Sequence, residues 1–307
     1  MRAADLVSID DLSREDLLEI LDLAARVKQD PGAYRDALHR KTLAMILEKP
    51  SLRTRVSFEA GMNQLGGSAI TLGPSEIAMG RRESVPDVAR TLSGMVDGIM
   101  ARTFSHRAIL DLARHASIPV INGLSDHLHP CQALADFLTV RESCGRIEGV
   151  KLAYVGDGNN VAHSLMFAGA RLGARVHLAT PPGYRPDPEV VRAASREASR
   201  SGGGIEVGGE VDAAVRDADV VYTDTWTSMG QEAEREERIG VFRPFQVNAS
   251  VMGRARPGAV FMHCLPAHRG EEVTAEVIDS RASVVFRQAA NRLHVQKAVL
   301  ILLMGRR

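Results

Sequence analysis

Thr42-Leu43-Ala44-Met45-Ile46-Leu47-Glu48-Lys49-Pro50-Ser51-Leu52-Arg53-Thr54-Arg55 places an apolar run directly before a proline, two hydroxyls and two arginines. A run this short reads as a buried strand, and the Pro-Ser-Leu-Arg-Thr that follows reads as a loop opening a helix. The scheme repeats outward from it. Runs at 68–72, 98–104 and 119–122 are further strands, with helix-like segments between them. Upstream, Ser13-Arg14-Glu15-Asp16 has the form of an N-cap with an acid three residues on, and Leu17, Leu18, Leu21, Ala24 and Ala25 continue one apolar face. The second half follows the same plan, with strands at 151–156, 174–180, 220–225 and 259–265, and with 201–204 reading as a flexible turn. Strand and helix alternation means parallel sheets covered on both faces. The break falls near Cys144-Gly145-Arg146, after a helical stretch at 129–142, and 288–304 forms a last helix. The expected fold is therefore α/β: two doubly wound parallel-sheet domains with a C-terminal helix crossing back to the first. The expected domains are 1–143, with 288–307 packing back on it, and 144–287.

Composition narrows the function. A chain of 307 residues exceeds the usual size of one hydrophobic core, and 45% hydrophobic with 25% charged residues is globular. Lys+Arg and Asp+Glu both total 38, so no broad field draws the chain to nucleic acid or an anionic membrane. No run of about 18 apolar residues predicts a membrane span. The N-terminus lacks the pattern of a signal or transit peptide, and three cysteines, an odd number, argue for a reducing compartment. A cytoplasmic enzyme is expected.

In open α/β sheets, ligands sit beyond the carboxyl ends of strands. There, Ser51, Leu52, Arg53 and Thr54 offer helix-start N–H groups, hydroxyls and a guanidinium, which together suit a phosphate. Arg102 ends the third strand, and Asp126-His127-Leu128-His129-Pro130-Cys131-Gln132 follows the fourth, so Arg102, His129 and Gln132 can converge on the same anion and polarise a carbonyl. Ser-x-Arg-Thr-Arg at 51–55 with His-Pro-Cys-Gln at 129–132 resembles the carbamoyl phosphate site of the aspartate/ornithine carbamoyltransferase family. The resemblance implies that Ser51, Leu52, Arg53 and Thr54 hold phosphate and that Arg102, His129 and Gln132 orient the carbamoyl group. The chain departs from the family at Ala78, where many ornithine enzymes have a glutamine reaching a neighbouring subunit's site.

Gly156-Asp157-Gly158-Asn159-Asn160-Val161 invites a dinucleotide reading, but Val161 replaces the third glycine and the next strand ends without an acid for a ribose. No nicotinamide, and no cofactor of any kind, is expected. The segment resembles instead the Asp-Gly-Asn-Asn of the ornithine enzymes, in which the second asparagine, here Asn160, touches the amino acid. Asp224-Thr225-Trp226-Thr227-Ser228-Met229-Gly230 matches their Asp-x-x-x-Ser-Met-Gly signature, which implies that Asp224, Ser228 and Met229 bind ornithine. His263-Cys264-Leu265-Pro266 resembles the motif that separates ornithine from aspartate enzymes. By that resemblance Cys264 accepts the amine proton, Cys264 and Leu265 carbonyls hold the carbamoyl NH2, and Arg292 is a last carbamoyl phosphate ligand. Cys264, Asp224 and Arg53 are the catalytic candidates.

The resemblance implies transfer of a carbamoyl group from carbamoyl phosphate to the side-chain amine of L-ornithine, giving L-citrulline and phosphate, within arginine metabolism. It also implies a homotrimer or a multiple of trimers. The alternatives are a carbamoyltransferase for a related amine, a metal-dependent hydrolase using His127, His129 and Cys131 or His263, Cys264 and His268, and a non-catalytic binding protein on the same fold. The expected metal content is none.

Overall fold

The computed structural model describes residues 3–227 and 231–305. The chain divides into two compact units, residues 1–138 with 290–307 and residues 139–289. Each is a parallel sheet flanked by helices.

The first unit holds β1 (Thr42–Leu47), β2 (Ser68–Leu72), β3 (Gly98–Arg102) and β4 (Val120–Leu124), all parallel in the order β2-β1-β3-β4. Its helices are α1 (Arg14–Gln29), α2 (Leu52–Gln64), α3 (Pro74–Ile77), α4 (Val85–Ser93), α5 (His106–His115) and the start of α6 (Pro130–Cys144). Ser13 and Asp16 close the capping box that begins α1. One core packs Ile46, Ile99, Ala101 and Val120 of the strands against Val88, Ala89, Ile109 and Leu112 of α4 and α5. The third strand stops at Arg102, two residues short of the apolar run in the sequence; Thr103 still bonds Leu124 O, but its hydroxyl donates to Ser105 O in the turn that follows.

The second unit orders its strands β7-β6-β5-β8-β9, again all parallel: β5 (Lys151–Val155), β6 (Arg175–Ala179), β7 (Gly204–Gly208), β8 (Val220–Thr223) and β9 (Val260–His263). Its helices are α7 (Asn160–Leu172), α8 (Pro188–Ser201), α9 (Val211–Val215), α10 (Arg235–Phe242), α11 (Ala249–Met252) and α12 (Ala275–Ile278). The turn expected at 201–204 joins α8 to β7. Gly202 ends the helix at φ 80° and Gly204 begins an edge strand whose glycines give it little β signal. Ala153, Val155, Ala179, Val221 and Phe261 pack against Ala214, Val215, Val247 and Val251.

α13 (Val285–Met304) carries the chain from the second unit back into the first, where Lys28 Nζ donates to Asn291 Oδ1 at 2.8 Å and Lys297 Nζ to Gln64 Oε1 at 3.0 Å. Among the described residues no helix is long and apolar enough to cross a membrane.

Candidate active site

Strand order reverses beside β1 in the first sheet and beside β5 in the second, and crevices at such switch points receive ligands. Register brings the strand ends together. Leu47 pairs with Arg102 and Arg102 with Leu124, so the loops after β1, β3 and β4 emerge side by side. In the other sheet Val155 pairs with Thr223 and Thr223 with His263, which aligns the loops after β5, β8 and β9.

In the first unit Ser51 caps α2, its Oγ accepting from Thr54 N at 3.3 Å, and Leu52 and Arg53 form the opening turn. The N–H groups of such a turn point along the positive end of the helix dipole. Arg292, 2% exposed, donates from Nη1 to Gln132 Oε1 at 2.7 Å and from Nη2 to Thr54 Oγ1 at 3.3 Å. Gln132 in turn donates to Asp136 Oδ1 at 2.8 Å, which fixes its amide orientation. Burial, followed by the charges of Arg292, Arg102 and Arg53, holds the His129 imidazole well below its usual pKa. A neutral, buried histidine amid three guanidinium groups suits hydrogen bonding to a polarised carbonyl. Ser51, Arg53, Thr54, Arg102, His129, Gln132 and Arg292 are thus one constellation. Leu52 is 73% exposed, so only its backbone belongs there.

In the second unit Asp224, 4% exposed, is the hub. Its Oδ2 accepts from Asn159 Nδ2 at 2.8 Å, while Oδ1 accepts from Cys264 Sγ at 2.9 Å and Thr225 N at 2.8 Å. No cation among the described residues pairs with it. Asn160 begins α7 one residue beyond, and Gly158 lets the loop pass close to residue 186, since a Cβ there would lie 2.2 Å from Pro186 N. Leu265 adopts φ 59°, a conformation costly for a branched side chain. It is held there by His263, whose Nδ1 accepts from Leu265 N at 2.8 Å while Nε2 faces the buried Glu272 carboxylate at 3.2 Å. Ser228 and Met229 lie outside the described residues.

Three contributors lacked a sequence signal strong enough to single them out. Asn159 both caps α7, accepting from Val161 N and Ala162 N, and orients Asp224. Glu272 fixes the His263 ring and also accepts from His268 N. Arg238, 3% exposed, pairs with Asp157, donates from Nε to Trp226 O at 2.5 Å, and lies over the Tyr184 and Phe242 rings at 4.7 and 5.2 Å. Burial pushes Asp157 up to about 6 against the opposing pull of Arg238. An acid two residues past the end of a strand and an arginine inside a charged helix look solvated until folding buries them together.

The metal alternatives meet specific obstacles. Asp224, His263 and Cys264 lie close enough to share an ion, but both His263 ring nitrogens are committed to Leu265 and Glu272. Cys131 is fully buried and its thiol is pushed up to about 11, which disfavours the thiolate a metal needs.

Two models of one family match the chain. The aspartate/ornithine carbamoyltransferase carbamoyl-P binding domain matches residues 4–142, and the Asp/Orn binding domain of the same family matches residues 148–303. The ornithine carbamoyltransferase of Thermococcus kodakarensis is 57% identical, covering 98% of this chain and 96% of its own. That of Bacillus subtilis is 55% identical over 96% and 92%. The solved ornithine carbamoyltransferase of Pyrococcus furiosus superposes with a TM-score of 0.95 at 56% identity, covering 98% of this chain and 96% of that one. With two linked family models spanning nearly all of its length, the chain belongs to the aspartate/ornithine carbamoyltransferase family.

Proposed function

We infer that this chain transfers the carbamoyl group of carbamoyl phosphate to the side-chain amine of L-ornithine, releasing L-citrulline and phosphate. The observation that carries the choice of acceptor is Asp224: a buried carboxylate, without a cation among the described residues, hydrogen-bonded to a thiol. A carboxylate in that state suits an ammonium group and not the carboxylate of aspartate.

In this reading the α2 turn, Arg53 and Arg292 hold phosphate, and Arg102, His129 and Gln132 polarise the carbamoyl carbonyl. Asp224 pairs with the ornithine ammonium, whose reference pKa of ~10.4 leaves it protonated at neutral pH. Once the ammonium takes the place of the thiol at Asp224, Cys264 gives its proton to solvent, the resulting thiolate accepts one proton from the ammonium, and the freed lone pair attacks the carbamoyl carbon. The bond from that carbon to the phosphate oxygen then breaks, its electron pair leaves on phosphate, and the remaining excess proton departs with that product. Guanidinium groups around the phosphate meet the charge as it grows. Asn160, Ser228 and Met229 bind the amino acid's polar end, and the Cys264 and Leu265 carbonyls hold the carbamoyl NH2. No cofactor enters this scheme.

A homotrimer or multiple of trimers in the cytoplasm belongs to the same reading. The exposure of Leu52 at 73%, Val56 at 54% and Ile70 at 50% supports burial against another copy, and three free cysteines suit a reducing compartment. Naming of the Pyrococcus furiosus relative as anabolic supports a role in arginine synthesis.

A ureido assay with purified protein, carbamoyl phosphate and an amine panel tests the assignment. L-ornithine is expected to give the highest kcat/KM, with aspartate and putrescine poor. Either of these exceeding ornithine would overturn it.

A further inference from the structure

The second sheet has another polar place, at the amino ends of its strands. Lys151 opens β5, Arg175 opens β6 and Gly204 opens β7, and the three are neighbours in register, followed by Ala153, His177 and Glu206. Parallel strands are normally buried on both faces and read as continuous apolar runs. Arg-Val-His-Leu-Ala of β6 and Gly-Ile-Glu-Val-Gly of β7 alternate instead, and α9, which packs on β5 and β6, has only five residues. A groove of about 650 Å³ remains, lined among others by Lys151, Arg175, His177, Glu206, Arg216 and Asp217.

Positive charge there is built in. Lys151 Nζ is held by the carbonyls of Arg216 at 2.7 Å and Ala213 at 3.4 Å. Arg256, at the rim, is committed to Asp219, and His177 Nδ1 meets Glu206 at 3.0 Å. The Arg175 and Arg216 guanidinium groups, by contrast, have no ion pair or hydrogen bond with any described residue. Lys151 and Arg175 face each other in register, an arrangement of like charges that costs energy unless a counter-ion is near. Burial lowers the Lys151 pKa, Glu206 and Asp217 pull it back up, and Arg216 and Arg175 lower it again, so all four charges lie within electrostatic reach of one ammonium. Among the described residues no phenylalanine, tyrosine or tryptophan lines the groove, and the His177 ring is engaged by Glu206, so the site has no large aromatic platform for a base.

We propose that this groove is a second anion site, separate from the α2 turn, which binds a small polyphosphoryl anion without a nucleoside. Arg175 and Arg216 grip its terminal phosphoryl oxygens with their planar forks, and Lys151 supplies a fixed point charge between them. The site does not depend on the carbamoyl transfer reading, because every group it uses lies away from the loops after β5, β8 and β9.

Isothermal titration with pyrophosphate tests it. Arg53→Ala serves as the background, so that the α2 turn is weakened as a competing phosphate receptor. One pyrophosphate per chain is expected to bind, and adding Arg175→Ala and Arg216→Ala should weaken it by at least ~10-fold, the loss of two charged forks. Both arginines are exposed, and the variant carrying only these two changes should retain wild-type carbamoyl transfer. An Arg53→Ala protein that takes up no pyrophosphate to millimolar concentration would overturn the proposal. So would binding that the Arg175 and Arg216 substitutions leave unchanged.

Discussion

Replacing Arg238 with alanine strands a carboxylate inside the second unit. The guanidinium is 3% exposed and Asp157 13%, so the pair is not a surface salt bridge whose contribution solvent would erase. Removing one partner of a buried pair costs about 3 to 5 kcal/mol. The Trp226 carbonyl loses its donor and two rings lose their cation, but these losses overlap with the first and are not additive with it. For a unit of this size each kcal/mol moves Tm by about 2 to 4 °C, so the variant should melt on the order of 10 °C lower.

The deficit has a sign in pH. Asp157 is raised from 3.8 to about 6, so its contribution to stability is present below 3.8 and is lost as pH rises through about 6. Without Arg238 no cation opposes the effect of burial on Asp157 and the loss extends to higher pH, making the Tm deficit larger at pH 8 than at pH 5. Calorimetry of wild type and variant across that range measures it. The double variant Asp157→Leu with Arg238→Met, which removes both charges, should recover part of the loss. Because Arg238 also holds Trp226, two residues past Asp224, KM for ornithine should rise more than KM for carbamoyl phosphate. A single variant melting within ~2 °C of wild type at pH 8, or a deficit larger at pH 5, would refute the argument.

Cys264→Ala should lower kcat by about 10² to 10⁴-fold, the usual worth of a general base, with little change in carbamoyl phosphate affinity; an unaltered rate and pH profile would leave Cys264 a packing residue. Arg53→Ala should weaken carbamoyl phosphate binding and slow turnover together, and Arg53→Lys should restore little, as steady-state kinetics would show. The His129 ring should be neutral at neutral pH, since burial and three guanidinium groups oppose its charging, and its NMR resonances should show no titration at the usual imidazole pKa.

The alternation that makes two parallel sheets is legible in the residues alone, because buried parallel strands must be short and apolar and their crossovers helical. The sequence also exposed the anion-binding turn at 51–54 and the strand-end residues Asp224 and Cys264, because polar groups directly after apolar runs sit where such sheets bind ligands. It did not reveal β7, whose glycines and open face carry almost none of the apolar signal that marks a strand. Nor did it pair Arg238 with Asp157, 81 residues away, or Glu272 with His263, or make Asn159 the partner of Asp224. Those contacts were decided by tertiary structure alone. A charged side chain reads as solvated in any local window, and only the register of β5, β8 and β9 brings these residues close enough that burial forces each to find its partner.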